Sequence, residues 1–208
     1  MVKLSYNGKE VMLINPIASL YVEDGGQVTP EGTSSESDKK DDLGWPMLIN
    51  YDYATSVSMG FFIPTEHLYG LPGREFDFDL KTTEESGPYR LFNRDLDPHW
   101  PRNRTELYGS IPYITGHSTE FDSSIAWINS ADTWVEYQDM EVGGVKGSYV
   151  DFLSEGGMLE FLTFGSTGGP YRVQKSLAQA TGFLQLPPLQ TLGFQFSKWA
   201  PVSAEMIT

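Results

Sequence analysis

A chain of 208 residues suits one domain, or one domain with a short extension, and 39 % hydrophobic residues with 13 % aromatics are enough to fill a core, which excludes global disorder. Twenty-eight acidic residues against 14 basic ones leave a net charge of −14, which argues against nucleic acid or an anionic membrane as partner and leaves a neutral sugar compatible but unselected. No cysteine is present, so disulfides, thiolate metal sites and thiol chemistry are excluded.

The first residues, Met1 to Tyr6, lack the apolar stretch of a signal peptide, and no apolar run reaches the roughly 18 residues of a membrane span. Val11–Ile14 and Ile17–Val22 read as two strands joined at Asn15-Pro16. Residues 24–42 are dominated by Gly, Ser, Glu, Asp and Lys, too polar for a core, and read as a surface loop. Thr55–Ile63 alternates, with Val57, Met59, Phe61 and Ile63 on one side and Ser56, Ser58 and Gly60 on the other, which predicts a half-buried strand. Further strands are expected near Met47–Tyr51, Leu107–Thr115, Ser124–Ile128, Thr133–Tyr137, Ser148–Phe152 and Met158–Phe164. Short strands at this spacing, among 21 Gly and 13 Pro, predict an all-β sandwich of antiparallel sheets.

One helix is expected from Pro170 to Thr181. Proline at its first position gives up no hydrogen bond, Val173, Leu177 and Ala180 space an apolar stripe, and Gly182 can take the left-handed conformation that ends a helix. Pro187-Pro188 then forces an extended entry to an apolar segment, Leu192–Trp199, that reads as a strand buried from both sides. Such a strand needs a parallel sheet or barrel to lie in. The expected layout is therefore a sandwich over 1–168, a helix and linker over 169–188, and the start of a further domain over 189–208.

His67, His99 and His117 are widely spaced and match no zinc pattern, so they read as isolated polar or turn histidines and no metal or other cofactor is expected. Asp139 and Glu141 would share a face of a strand, as paired carboxylates for glycoside hydrolysis do, but their polar neighbours favour a solvated segment where nothing separates their pKa values. The stretch Gly87–Trp100 differs in kind. It joins a Gly-Pro turn, aromatic rings and a dense set of hydrogen-bonding side chains, the mixture that sugar sites use, and equally that of a loop capped by Asp side chains. Asn103-Arg104-Thr105 is an N-glycosylation sequon, which makes Asn103 a candidate acceptor.

Several of these segments fall in a familiar order. Glu66-His67-Leu68-Tyr69-Gly70-Leu71-Pro72 is followed by Gly87-Pro88-Tyr89-Arg90-Leu91-Phe92-Asn93-Arg94-Asp95 and by Leu107-Tyr108-Gly109-Ser110-Ile111-Pro112-Tyr113. Then come Asn129-Ser130-Ala131-Asp132-Thr133-Trp134, Ser154-Glu155-Gly156-Gly157 and Leu186-Pro187-Pro188-Leu189. Across residues 55–200 the chain resembles the N-terminal region of glycoside hydrolase family 31, in its neutral α-glucosidase and glucosidase II branch.

The resemblance implies a galactose-mutarotase-like β-sandwich that precedes a (β/α)8 barrel, with the segment after Pro187-Pro188 as the first barrel strand. A whole barrel needs about 250 residues, and the family's Trp-x-Asp-Met-Asn-Glu nucleophile motif has no counterpart here, so by this reading the chain by itself is inactive. The resemblance also implies that the Asn93-Arg94-Asp95 loop reaches the barrel mouth. There Asp95 would accept hydrogen bonds from the terminal glucose, Arg94 would orient Asp95, and Phe92 would pack beneath the loop. Pro98-His99-Trp100-Pro101 departs from the glucosidase II form. The implied substrate is an α-glucoside or glycan, the implied partners are the catalytic barrel and a β subunit, and the implied location is the lumen of the endoplasmic reticulum. The alternative is a stand-alone carbohydrate-binding or interaction sandwich. An aldose 1-epimerase would suit the fold, but the spacing of the histidines gives it poor support.

Overall fold

A computed structural model describes residues 1–22, 56–74, 77–94 and 107–196. Among these residues, eleven strands and one α-helix run in the order β1 (Val2–Tyr6), β2 (Lys9–Ile14), β3 (Tyr21–Val22), β4 (Val57–Ile63), β5 (Leu68–Gly70), β6 (Tyr89–Leu91), β7 (Tyr113–His117), β8 (Asp122–Trp127), β9 (Thr133–Val142), β10 (Val145–Ser154), β11 (Phe161–Ser166) and α1 (Pro170–Thr181). One sheet has seven strands in the order β1-β2-β4-β10-β9-β6, with β3 also paired to β4, and the other has four in the order β11-β8-β7-β5. All pairings are antiparallel, as the sandwich expectation requires.

The two sheets close on an aromatic core. Trp127 of the small sheet stacks on Phe152 of the large one at 5.3 Å between centroids, and Phe161 meets the edge of Phe61 at 5.0 Å. Offset and edge-to-face pairs of this kind add to what area burial alone provides. Val57, Met59, Phe61 and Ile63 of β4 join this core, as the alternation predicts. The opposite side of β4 is not exposed, however: all seven residues of the strand are buried. Ser58 Oγ donates to the Ser19 carbonyl (3.2 Å), Gly60 N–H donates to Ser19 Oγ (3.0 Å), and Phe62 packs with Leu13 and Tyr149. The segment before β3 thus roofs the central strand. The small residues at 58 and 60 make room for that cover rather than marking a wet face.

Two hairpins lie on glycine turns whose positive φ suits the twist of antiparallel strands. Asn7-Gly8 (φ 50° and 77°) joins β1 to β2, and Gly143-Gly144 (φ 61° and 82°) joins β9 to β10. The second turn lets β9 and β10 run ten residues each, well past the expected Thr133–Tyr137 and Ser148–Phe152.

Other expectations shift. Of Ile17–Val22 only Tyr21–Val22 is strand, because Asn15 and Ala18 take positive φ in a turn closed by Leu20 N–H to Asn15 Oδ1. Of Leu107–Thr115 the strand begins only at Tyr113. Met47–Tyr51 lies outside the described residues.

Helix α1 starts and stops where proline and glycine place it, and it packs on β11 and β8. Val173 is fully buried and Leu177 half-buried, whereas Ala180 is exposed, so the stripe covers one turn less than its spacing suggests. After it, Leu189–Leu192 forms a 3-10 turn, and residues 193–196 adopt no strand. Over these residues the expected terminal strand is not present. A strand exists only when a neighbour takes up its backbone hydrogen bonds, and no described strand lies beside this segment. Leu184, Leu186 and Phe194 are almost fully exposed there. No helix among the described residues is long and apolar enough to cross a membrane.

Candidate functional site

At one end of the sandwich the chain leaves β6 through Leu91, Phe92, Asn93 and Arg94, and meets the 110–112 segment and the 129–133 turn. Between them lies a cleft of about 460 Å³. Its polar lining comes from Asn93, Ser110, Asn129, Ser130, Asp132 and Thr133.

Each wall is held by local chemistry. Asn129 organises the 129–133 turn: its Nδ2 donates to the carbonyls of Gly156 (2.8 Å) and Met158 (3.1 Å), and its Oδ1 accepts from Ala131 N–H (2.8 Å). Glu155 N–H donates to the Asp132 carbonyl (2.9 Å), which ties the turn to the end of β10. Thr133 Oγ donates to the Ala131 carbonyl (3.0 Å) and lies 2.7 Å from Ser154 Oγ, which also accepts from Trp127 Nε1 (2.8 Å). The turn is therefore anchored in the core by a buried hydroxyl pair.

The opposite wall rests on a stack of cations and rings. The Arg90 guanidinium lies 4.2 Å from the Phe92 ring centroid and 4.5 Å from that of Trp134, and Arg94 sits 6.0 Å from the other end at Phe92. Trp134 Nε1 donates to Glu155 Oε1 (2.9 Å). Arginine over an aromatic face is favourable even where partly wet, so the stack stiffens the stretch from β6 to Arg94. Arg94 N–H donates to the Leu107 carbonyl (2.8 Å), and Leu107 N–H to that of Gly73 (2.8 Å). Phe92 thus has the guanidinium groups of both Arg90 and Arg94 against its ring, and the loop expected above it continues outside the described residues.

Of the expected site residues, Asn93 lines the cleft and Arg94 follows it in the chain without lining it, while Asp95, Asn103 and His99 lie outside the described residues. Asp139 and Glu141 sit far along β9, exposed and opposite Ser148 and Lys146, away from the cleft. His67 and His117 are not isolated: His117 N–H donates to the His67 carbonyl (3.1 Å), so the register of β5 and β7 sets them side by side. Among the described residues no group of three or more His, Asp or Glu is disposed to hold a metal ion.

Sequence reasoning missed Ser110, Ser130 and Asp132 as cleft residues. Their turn-forming composition was visible, but only the fold carries residues near 130 to residues near 93. The cleft offers amide, hydroxyl and carboxylate groups for exchange of hydrogen bonds with a hydroxylated molecule. Its only described carboxylate is Asp132, so among the described residues it does not hold the pair of carboxylates that glycoside hydrolysis uses.

Fold and cleft together define a two-sheet antiparallel sandwich that presents a hydrogen-bonding cleft at one end. Residues 2–136 match the family described as glycosyl hydrolase 31 N-terminal galactose mutarotase-like domain, and the chain belongs to that family. Neutral alpha-glucosidase AB of Mus musculus is 33 % identical over 193 residues, covering 82 % of this chain and 20 % of that protein. Neutral alpha-glucosidase C of Mus musculus is 29 % identical, covering 95 % and 26 %. Among solved structures, a glucosidase II alpha subunit bound to Tris superposes with a TM-score of 0.67 at 23 % identity, over 85 % of this chain and 20 % of that one. An endoplasmic-reticulum glucosidase II heterodimeric complex, of catalytic subunit and the binding domain of the regulatory subunit, gives a TM-score of 0.61 at 25 % identity, over 79 % and 20 %. The chain thus spans about a fifth to a quarter of the length of these relatives.

Proposed function

We propose that this chain is the N-terminal, non-catalytic β-sandwich of a retaining α-glucosidase-type glycoside hydrolase, and that its loop after β6 holds substrate for a catalytic barrel. Residues 1–168 form the sandwich in this reading, residues 169–188 the helix and linker, and residues 189–208 lead into the barrel. The observation that carries it is the place of Asn93. The family match runs through it, it lines a polar cleft, and the described residues just before it are braced by the Arg90–Phe92–Trp134 stack. Asp95, further along the chain, accepts hydrogen bonds from hydroxyls of the terminal glucose and takes no part in proton transfer. The favoured substrate is a glucosylated N-glycan, with a regulatory subunit as partner and the endoplasmic reticulum as location. The likeness to the endoplasmic-reticulum glucosidase II complex supports the partner and the location.

Asp95→Ala, made in the intact hydrolase, tests the reading. Hydrogen bonds to a charged acceptor contribute about 1.5–3 kcal/mol, so kcat/KM on an aryl α-glucoside is expected to fall roughly 10- to 150-fold with an unchanged melting curve. Unchanged kinetics would remove the loop from the substrate site. The 208-residue chain alone is expected to show no turnover on the same substrate, and turnover by it would refute the non-catalytic assignment.

A further inference from the structure

On the side of the four-stranded sheet that faces away from the core, the strands and α1 line a second, larger cavity of about 800 Å³ that is open to solvent on one side. Its floor carries Tyr69 of β5 and Tyr113, Thr115 and His117 of β7, while Gln174 and Leu177 of α1 form one side. The segment after β5 adds Phe78, whose ring lies 5.0 Å from that of Tyr69. The volume falls within the range of small-molecule sites, roughly 300–1,000 Å³, and such sites pair apolar walls with a few fixed polar groups.

The fixed polar group here is a histidine–carboxylate pair. His117 Nδ1 lies 2.6 Å from Asp122 Oδ1 across the β7–β8 ladder, and Asp122 is only 2 % exposed. A buried carboxylate accepts, so a neutral His117 carries its proton on Nδ1 and leaves Nε2 as an acceptor with a set orientation. The His117 side chain is 42 % exposed and lines the cavity, and no described residue hydrogen-bonds its Nε2. In two floor residues, Tyr113 and Thr115, each more than nine-tenths buried, the hydroxyls Oη and Oγ1 are buried without a hydrogen-bond partner among the described residues. The floor therefore holds hydrogen-bonding capacity that the described protein leaves unmet.

Charge narrows the occupant. A chain of net charge −14 disfavours an anion. The fixed charges of the lining, Arg74 and Asp77, are of opposite sign, and Arg74 is committed to the Arg90 carbonyl and the Tyr89 ring. What remains is a set of rings for an apolar face and an oriented acceptor for a hydroxyl.

We propose that this cavity binds an uncharged, hydroxylated ring compound, with Tyr69 and Phe78 against its apolar face and His117 Nε2 accepting from one of its hydroxyls. The site is separate from the cleft at Asn93: Ile111 lines the cavity, whereas its neighbours Ser110 and Pro112 line the cleft. It does not depend on the function proposed above.

Phenyl α-D-glucopyranoside, which combines a hydroxylated ring with an apolar one, is the probe, titrated calorimetrically into the 208-residue chain. The expected result is saturable binding that His117→Gln weakens about tenfold, the equivalent of one hydrogen bond, and that Leu177→Trp weakens by obstructing the α1 side of the cavity. Glutamine can still bond Asp122, so the first variant is designed to keep the buried carboxylate partnered. If it nevertheless fails to fold, Leu177→Trp, on the half-buried side of α1, decides alone. Circular dichroism melts show whether each variant is native. No saturable binding by the unmodified chain, or undiminished binding by folded Leu177→Trp, overturns the proposal.

Discussion

Replacing Ser154 by alanine removes one oxygen atom from the middle of the sandwich, and the structure says which groups are then stranded. Ser154 is fully buried, and its Oγ accepts from Trp127 Nε1 at 2.8 Å while lying 2.7 Å from Thr133 Oγ. Thr133 Oγ already donates to the Ala131 carbonyl, so the Ser154 hydroxyl proton points to Thr133. Its loss costs Thr133 one accepted bond, but the Trp127 N–H has no other acceptor among the described residues and is left buried and unpaired. An unsatisfied buried donor costs about 1–3 kcal/mol, and an ordinary net hydrogen bond about 1 kcal/mol, so the substitution is expected to destabilise by roughly 2–3 kcal/mol. For a chain of this size each kcal/mol shifts Tm by about 2–4 °C, giving an expected drop of about 5–10 °C.

Urea denaturation of the single variant, of Trp127→Phe and of the double variant closes a cycle. In that cycle the packing loss at Trp127 cancels and the hydrogen bond remains, with an expected coupling of about 1–2 kcal/mol. A Ser154→Ala change within about 0.5 kcal/mol of the parent, or a coupling near zero, would refute the account of how the 129–133 wall of the cleft is anchored.

Asp151 is pushed up to about 6, first by burial and second by the charge of Glu136 directly opposite on β9. Its folded pKa exceeds the unfolded one, so its contribution favours the folded state below about pH 4 and is lost as pH rises through about 6. Asp151→Asn is expected to raise the urea midpoint at pH 7.5 and leave it nearly unchanged at pH 4, and a lower midpoint at pH 7.5 would contradict this. Gly147 is buried where a Cβ would strike the Ile63 carbonyl and approach Pro64 Cα to 2.8 Å. Gly147→Ala should therefore cost about 3 kcal/mol or more, because backbone cannot yield. Gly87, with open space around it but φ of 74°, should lose only about 1–2 kcal/mol on the same change. Equal melting temperatures for the two alanine variants would show that space, and not conformation alone, had been misjudged.

Much of the fold was legible because it is written in near neighbours. The alternation of β4, the proline and glycine that bound α1, and the spacing of short strands are local patterns, and each marks an element that forms. Val2–Tyr6 and the Gly143-Gly144 turn carry the same kind of signal, an alternating strand and a two-residue glycine hairpin, in addition to the strands expected above. The terminal segment shows the opposite failure. Its composition is that of a strand, but composition supplies no pairing partner, and residues 193–196 are not one.

An acidic, cysteine-free, turn-rich chain whose ordered motifs place it in its family can be read without coordinates, since those properties depend only on residue identity and order. It takes the folded arrangement to show that both faces of β4 are covered, that residues near 93 share a cleft with residues near 130, and that His117 reaches a buried Asp122 beneath a cavity. Those facts depend on which strands are neighbours and in what register. Register is set by burial summed over whole sheets, and a shift of one residue would turn His117 to the opposite face of the sheet.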